Sequence, residues 1–450
     1  MADSPAKMTL PSWILNSREW PSFSWSRIND VGYSVIDQAL SVGGMFIANI
    51  ALARAVSKEE YGMFTLVYSA FNFLAGLHNA AILEPYTVHG AGRYSAHYPE
   101  YRWIIWRSNA WLGVGLSCVL LLIWVAVLFM VPPMQSRSIL GLSISSAILL
   151  TVSLARRMMY VEKKVRMAAK LSFIFFISLL GLLVMTTKTG TLNSLTVFVA
   201  VAAASIAGCV FILAELPVRK SLIHFDAARP KLWSEHWGYA RWVLATAFVF
   251  QLTTQAYYWL VAIFLSLRDI AGLRAIYMLV MPVDQVFTAI SLLVLPVMAT
   301  RYASKQIGAL LSAWKWYLLA FLLIGSSFII CVRWFGGPIL HLIYGGKFDD
   351  VSYLLGTLAL LPVLMGVGST MNVVMKAAER PNIVLYAYIS SGVATFGIGI
   401  PLMIHFGLRG AVYGMLISGS IYTVALGVGF LSLMPRLHAL RVAANEGTSL

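Results

Sequence analysis

The 450 residues of this chain are 59% hydrophobic and only 11% charged, with a mean hydropathy of +0.79, well outside the range of soluble domains. The net charge of +15 is scattered over many short loops, which excludes a nucleic-acid-binding patch. Three cysteines (Cys118, Cys209 and Cys331) stand singly inside apolar runs, so neither a metal site nor a disulfide framework is expected.

Residues 1–30 are polar and dotted with Trp13, Trp20 and Trp25, and they lack the basic-then-apolar order of a signal peptide. They read as a cytoplasmic N-terminal segment lying at the membrane interface, where tryptophan prefers to sit. Apolar runs of about 17 to 25 residues follow, each long enough to cross a hydrocarbon core of about 30 Å. They place twelve spans, the first six at 31–53, 62–83, 109–131, 139–154, 171–187 and 192–214. The other six fall at 242–265, 275–297, 316–332, 351–373, 383–404 and 411–433. Between the sixes lies a polar linker, 215–241, with Pro217, Pro230 and eight charges. The expected organisation is an N-terminal six-helix bundle (31–214), this cytoplasmic linker, a C-terminal six-helix bundle (242–433) and a cytoplasmic tail (434–450).

Orientation follows from Lys and Arg. With the N-terminus in the cytoplasm, 24 of the 33 fall on inside segments. Nine fall outside: Arg54, Lys58, Arg137, Lys188, Arg268, Arg274, Arg333, Lys347 and Arg409. Both termini are therefore expected in the cytoplasm. An even number of spans per half gives the halves one orientation, as in transporters built from two parallel repeats.

Two hairpins support the repeat. Gly32-Tyr33 opens a helix with a polar stripe that turns at Ser57-Lys58-Glu59-Glu60-Tyr61-Gly62. Gly238-Tyr239 opens a second that turns at Ser266-Leu267-Arg268-Asp269-Ile270-Ala271-Gly272. Two further segments stand apart. Residues 301–313 read as a short amphipathic stretch along the cytoplasmic interface, and 343–350 as a glycine-bearing, charged outer turn.

Only two acidic residues, Asp37 and Asp284, fall inside spans, with Glu84 at the very end of span two. A charge at a helix centre costs about 2.5–3.5 kcal/mol on insertion scales, so such groups face a cavity or a partner. Ser34, Asp37 and Ser41 share one face of span one, with Gln38 beside it. Span two aligns Tyr68, Asn72 and Asn79, with His78 adjacent. Span seven aligns Gln251, Gln255 and Tyr258, and span eight Tyr277, Asp284, Thr288 and Ser291. Spans three and five carry no such stripe. The asymmetry points to a water-accessible cavity between the halves, although each polar group could instead serve only to bond helix to helix, for about 0.6 kcal/mol. No Lys or Arg is expected mid-span. Arg54 and Arg274, at the outer ends of cavity helices, are the candidate anion contacts, with an interface-anchor role as the alternative.

Phosphate loops of the GxxxxGK[ST] type, HExxH and GxSxG are absent, and the outer loops are short, so an enzyme is not expected and no cofactor is called for.

Ala51-Leu52-Ala53-Arg54-Ala55-Val56-Ser57-Lys58-Glu59-Glu60-Tyr61-Gly62 resembles the turn after the first helix of Wzx-type polysaccharide flippases, of the multidrug/oligosaccharidyl-lipid/polysaccharide exporter superfamily. Ile343-Tyr344-Gly345-Gly346-Lys347-Phe348 and Phe406-Gly407-Leu408-Arg409-Gly410-Ala411 are similar to two later turns of that family. The resemblance implies an all-α membrane protein, a V-shaped pair of six-helix bundles around a central cavity lined by spans one, two, seven and eight. It implies a flippase in the bacterial inner membrane, moving undecaprenyl-pyrophosphate-linked oligosaccharide outward by alternating access for surface polysaccharide. Its partners would be that lipid-linked substrate, membrane lipids, and polysaccharide polymerase and export proteins. The alternative is a cation-coupled multidrug exporter of the same superfamily.

Overall fold

The computed structural model describes residues 25–91, 94, 98–130, 132–215 and 229–446. The interfacial tryptophans Trp13 and Trp20, the linker stretch 216–228 and the last four residues lie outside them. All of the regular structure among the described residues is helical. In the first half α1 (Trp25–Ala55) is followed by α2 (Lys58–His78), which passes through a π-helical turn (Asn79–Leu83) into α3 (Glu84–Ala91). Then come α4 (Tyr98–Val127), α5 (Pro133–Val161), α6 (Val165–Lys188) and α7 (Ser194–Glu215). The second half holds α8 (Arg229–Phe264), α9 (Leu267–Ala303), α10 (Ile307–Tyr344), a 3-10 turn (Asp349–Leu354) with the short α11 (Leu355–Leu358), α12 (Leu360–Ala377), α13 (Pro381–Ala394), a π-helical turn (Thr395–Gly399) and α14 (Ile400–Glu446).

Among the described residues ten segments are long and apolar enough to span a membrane, and Ser194–Val210 is a shorter apolar helix. One of the ten, Pro381–Leu437, runs 57 residues and holds two spans. Gly407 breaks it, at φ 58° and ψ −137°, a conformation open to glycine. Spans eleven and twelve meet there, which accounts for all twelve expected spans.

The two repeat hairpins turn by the same device. Ser57 accepts a hydrogen bond from the Glu60 N–H at 3.1 Å, and Ser266 one from the Asp269 N–H at 3.3 Å. Each serine caps a helix whose first turn is acidic, complementing its dipole. Gly345 closes α10 in the left-handed region, with its N–H on the His341 carbonyl.

Two expected segments are built differently. Residues 301–313 do not lie along an interface as a separate stretch. The α9 helix runs to Ala303, the chain reverses over three residues with Lys305 at φ 58°, and α10 begins at Ile307. Their 37 and 38 residues make a hairpin about 55 Å long, so its tip stands beyond the hydrocarbon. The described part of the expected linker, 229–241, is the first third of α8 and docks on the other half. His236 is fully buried there, bonded to the Ala81 carbonyl at 2.8 Å and the Tyr101 hydroxyl at 3.2 Å.

Large apolar side chains such as Trp111, Leu122, Val424 and Leu431 point outward, as a lipid solvent requires. The buried cores show how the halves meet. At the end bearing Arg54 a single cluster joins Leu52, Tyr61 and Phe64 of one half to Val261, Ile276 and Phe348 of the other. At the opposite end there are two separate cores, and the first-half one takes in Leu232 from the α8 segment docked on it. One is built on Tyr86, Tyr101 and Leu154, the other on Phe321, Met375 and Leu426. The architecture is a two-lobed V, joined at the Arg54 end.

Candidate functional site

The joined end is held by reciprocal contacts between the two turn motifs. Lys347, from the turn after α10, donates to the Ala53 carbonyl at 2.8 Å and to the Val56 carbonyl, capping the C-terminus of α1. Arg54 of α1 reaches the Leu342 carbonyl near the C-terminus of α10 at 3.5 Å. Lysine or arginine at a helix C-terminus satisfies carbonyls that have no partner in the helix and meets the negative end of its dipole. Lys58 pairs with Asp350 at 2.8 Å and Arg268 pairs with Glu59. The first repeat turn thus binds the second directly. Gly62 permits this, since a Cβ there would lie 1.9 Å from the Leu267 carbonyl oxygen.

Beneath this latch a pocket of about 390 Å³ opens in the second half. It is walled by α8, α9, α12, α13 and α14, and Asn72 of α2 faces it from the first half. Of the expected site residues, Asn72, Gln255, Tyr258, Arg274, Asp284 and Thr288 line it together. Spans seven and eight contribute as expected, and span two supplies Asn72. Spans ten, eleven and twelve supply residues that the stripes singled out in sequence did not include, among them Asn372, Tyr388, Thr395, Ser418 and Tyr422. Their signal was present in part: Tyr388, Ser391 and Thr395, like Ser418 and Tyr422, recur at helical spacing.

The remaining expected residues lie elsewhere. Asp37 is fully buried inside the first half, where it accepts from Arg156 at 2.6 Å, Tyr160 at 2.6 Å and Ser172. It is spent on joining α1 to α5 and α6. Gln38 is exposed, and Ser41 bonds the Gln38 carbonyl of its own helix. Asn79 accepts from Arg157 at 2.9 Å, and Glu84 accepts from Tyr239 at 3.4 Å, toward the far end of the molecule. Gln251 packs against Gly76, outside the pocket lining. Arg54 serves the latch.

Arg274 departs most from expectation. The apolar run of span eight begins just after it in sequence, which predicts a place at the mouth. In fact α9 starts at Leu267, two turns earlier, and carries Arg274 inside. The side chain is buried, its Nε and Nη2 each 3.4 Å from Asn49 Oδ1 and its guanidinium 5.6 Å from the Tyr68 ring. Tyr61 and Tyr258 flank it. Among the described residues it has no carboxylate partner. Ten residues along α9, Asp284 accepts from the Tyr277 hydroxyl at 3.1 Å and makes no ion pair among those residues. His78, the expected neighbour of the span-two stripe, is bonded to Asn109 at 2.6 Å as a packing group. The described residues hold no cluster suited to a metal ion.

No known sequence family matches the chain, and no curated protein matches it. Solved structures do. An inward-facing multidrug resistance MATE family transporter of the MOP superfamily aligns over 91% of this chain and 99% of its own, at 14% identity and a TM-score of 0.75. An outward-facing MATE structure aligns over 92% and 96%, at 16% identity and a TM-score of 0.65. A MOP superfamily transporter from Pyrococcus furiosus, described by the reverse polarity of its binding pocket, covers the same shares at 15% and 0.65. The chain has the fold of these transporters.

Proposed function

We propose that this protein is a flippase that moves undecaprenyl-pyrophosphate-linked oligosaccharide across the bacterial inner membrane for surface polysaccharide. The observation that carries this reading is Arg274, a buried guanidinium lining the pocket with no carboxylate paired to it among the described residues. Holding an uncompensated cation at membrane depth is costly, and a fold keeps one where an anion visits. Around it the lining is rich in amides and hydroxyls (Asn72, Thr254, Gln255, Ser369), which suits sugar. The reading places both termini in the cytoplasm, so that the Arg54 end faces outward and is the closed one. The prenyl tail stays in lipid while the headgroup passes between the lobes. Release outward requires the latch to part. No chemistry on the substrate and no cofactor is involved, and polymerase and export proteins would receive the product.

The test is proteoliposomes loaded on one leaflet with a fluorescent, short-chain prenyl-pyrophosphate disaccharide. Transfer to the other leaflet by wild type supports the flippase, and none removes it. A second reading is favoured by Asp284, which lines the same pocket beside Phe250, Tyr257 and Phe287, and by the multidrug resistance transporters that share the fold. It is a cation-coupled multidrug exporter, and it predicts transport of a cationic dye instead.

A further inference from the structure

The pocket carries hydrogen-bonding capacity that the protein itself leaves unused. Asn372 on α12 donates through Nδ2 to the Tyr422 hydroxyl at 3.2 Å, and Tyr422 donates to the Tyr388 hydroxyl at 3.3 Å. Among the described residues the buried Asn372 Oδ1 accepts nothing. A buried amide oxygen in that condition is rare and costly unless a ligand supplies its donor. Asp284 uses one oxygen, on Tyr277, and has the other to offer. Beside these acceptors lies an aromatic wall. The rings of Tyr388 and Tyr422 stack with centroids 4.8 Å apart and planes 27° from parallel, and Phe250 meets Tyr388 edge-on at 5.1 Å. All of these residues line the one pocket of about 390 Å³.

We propose that this pocket, wholly on the second-half side apart from Asn72, is a subsite for a single pyranose unit of the substrate. The proposal rests on the flippase reading and narrows it. One face of the sugar ring, with its partly positive C–H groups, lies on the negative π-face of the tyrosine wall. Ring hydroxyls donate to Asp284 and, with the Asn372 side chain turned toward the pocket, to Asn372 Oδ1, which is sealed off as it stands. Hydroxyls also accept, so they serve the Asn372 amide in either orientation and take the proton that Tyr388 has free. Other ligand classes fit less well. A quaternary ammonium has no N–H or O–H and leaves Asn372 unpaired. A phosphate brings only acceptors to Asn372 and Asp284, which need donors, and is met instead by Arg274 elsewhere on the lining. The volume admits one or two sugar rings, not an oligosaccharide, so the subsite reads one unit while the rest of the headgroup occupies the space between the lobes.

Saturation-transfer NMR on the full chain in lipid nanodiscs tests this, using methyl glycosides of glucose, galactose and N-acetylglucosamine, with tetraethylammonium as the competing class. Transfer to the ring protons of at least one glycoside is expected. Asn372→Leu should weaken its binding about tenfold, and Asn372→Asp, which keeps shape and acceptor, should retain it. Asp284→Asn also keeps an acceptor oxygen and should weaken it less than Asn372→Leu does. For a cation the order reverses. Should Asn372→Leu not fold, Tyr388→Leu removes the wall and should abolish transfer. Silence from every glycoside, or transfer indifferent to both Asn372 and Tyr388, overturns the subsite, and the leaflet assay then decides the flippase reading separately. Transfer to tetraethylammonium with the glycosides silent overturns the subsite in favour of a cation site.

Discussion

Replacing Asp37 with asparagine separates two roles for this carboxylate. As a coupling group it would be needed for transport and dispensable for folding. The structure gives it three donors and no exposure, with Arg156 as its ionic partner. Neutralising it strands Arg156, whose Nε already lacks a partner. Removing one member of a buried pair costs about 3–5 kcal/mol, and the 23% exposure of the Arg156 side chain puts this case at about 3. Replacing both members, as Asp37→Leu with Arg156→Met, should recover most of the loss, because no buried charge is left over. Equilibrium unfolding in mixed micelles of Asp37→Leu, Arg156→Met and the double variant would close a thermodynamic cycle with a coupling of about 3 kcal/mol. An Asp37→Asn protein as stable as wild type but inactive would refute the structural role and return Asp37 to the mechanism.

Other consequences follow from the latch and from the end of the molecule away from it. Lys347→Ala removes an ammonium from two helix-terminal carbonyls, worth about 1.5 kcal/mol, and should raise maleimide labelling of a cysteine placed at Asn49 about tenfold, in a protein lacking the native cysteines. Lys58→Ala should change that labelling little, since its partner Asp350 is largely exposed. Gly62→Val drives carbon into the Leu267 backbone and should cost about 1–3 kcal/mol of folded stability, read in the same unfolding assay. Burial pushes the Glu162 carboxyl up, but hydrogen bonds from Lys164 at 2.7 Å and Arg102 at 2.9 Å outweigh it and hold the group below the usual carboxylate range. A carboxyl depressed in the folded state adds stability above its unfolded pKa, about 4.3, and loses it as pH falls through the folded value. Glu162→Gln should therefore flatten the acid limb of the stability profile, and an unchanged limb would show that Glu162 has no part in it.

Much of the fold was legible because lipid makes the signal strong. Every span needs a continuous apolar run, and all twelve runs became helices. Helix ends were less legible, because water-facing turns extend helices past the hydrocarbon; that is how Arg274 and residues 301–313 were misplaced. The pocket lining was legible on three helices and hidden on three. Polar stripes carry the spacing of a face but not the identity of what it faces. Asp37 has the same spacing signature as Asp284, and only the position of Arg156, on another helix, tells them apart. The motifs after α1 and α10 could be read singly, while their mutual contact required the three-dimensional arrangement.

The most direct measurement concerns Arg274. In the leaflet assay, wild type and Arg274→Gln would be compared in parallel for the prenyl-pyrophosphate disaccharide and for a cationic dye. An anion site predicts flipping by wild type, at least tenfold less by the variant, and no dye transport by either. Dye transport that survives Arg274→Gln and fails in Asp284→Asn, with the disaccharide left in place, would contradict the account.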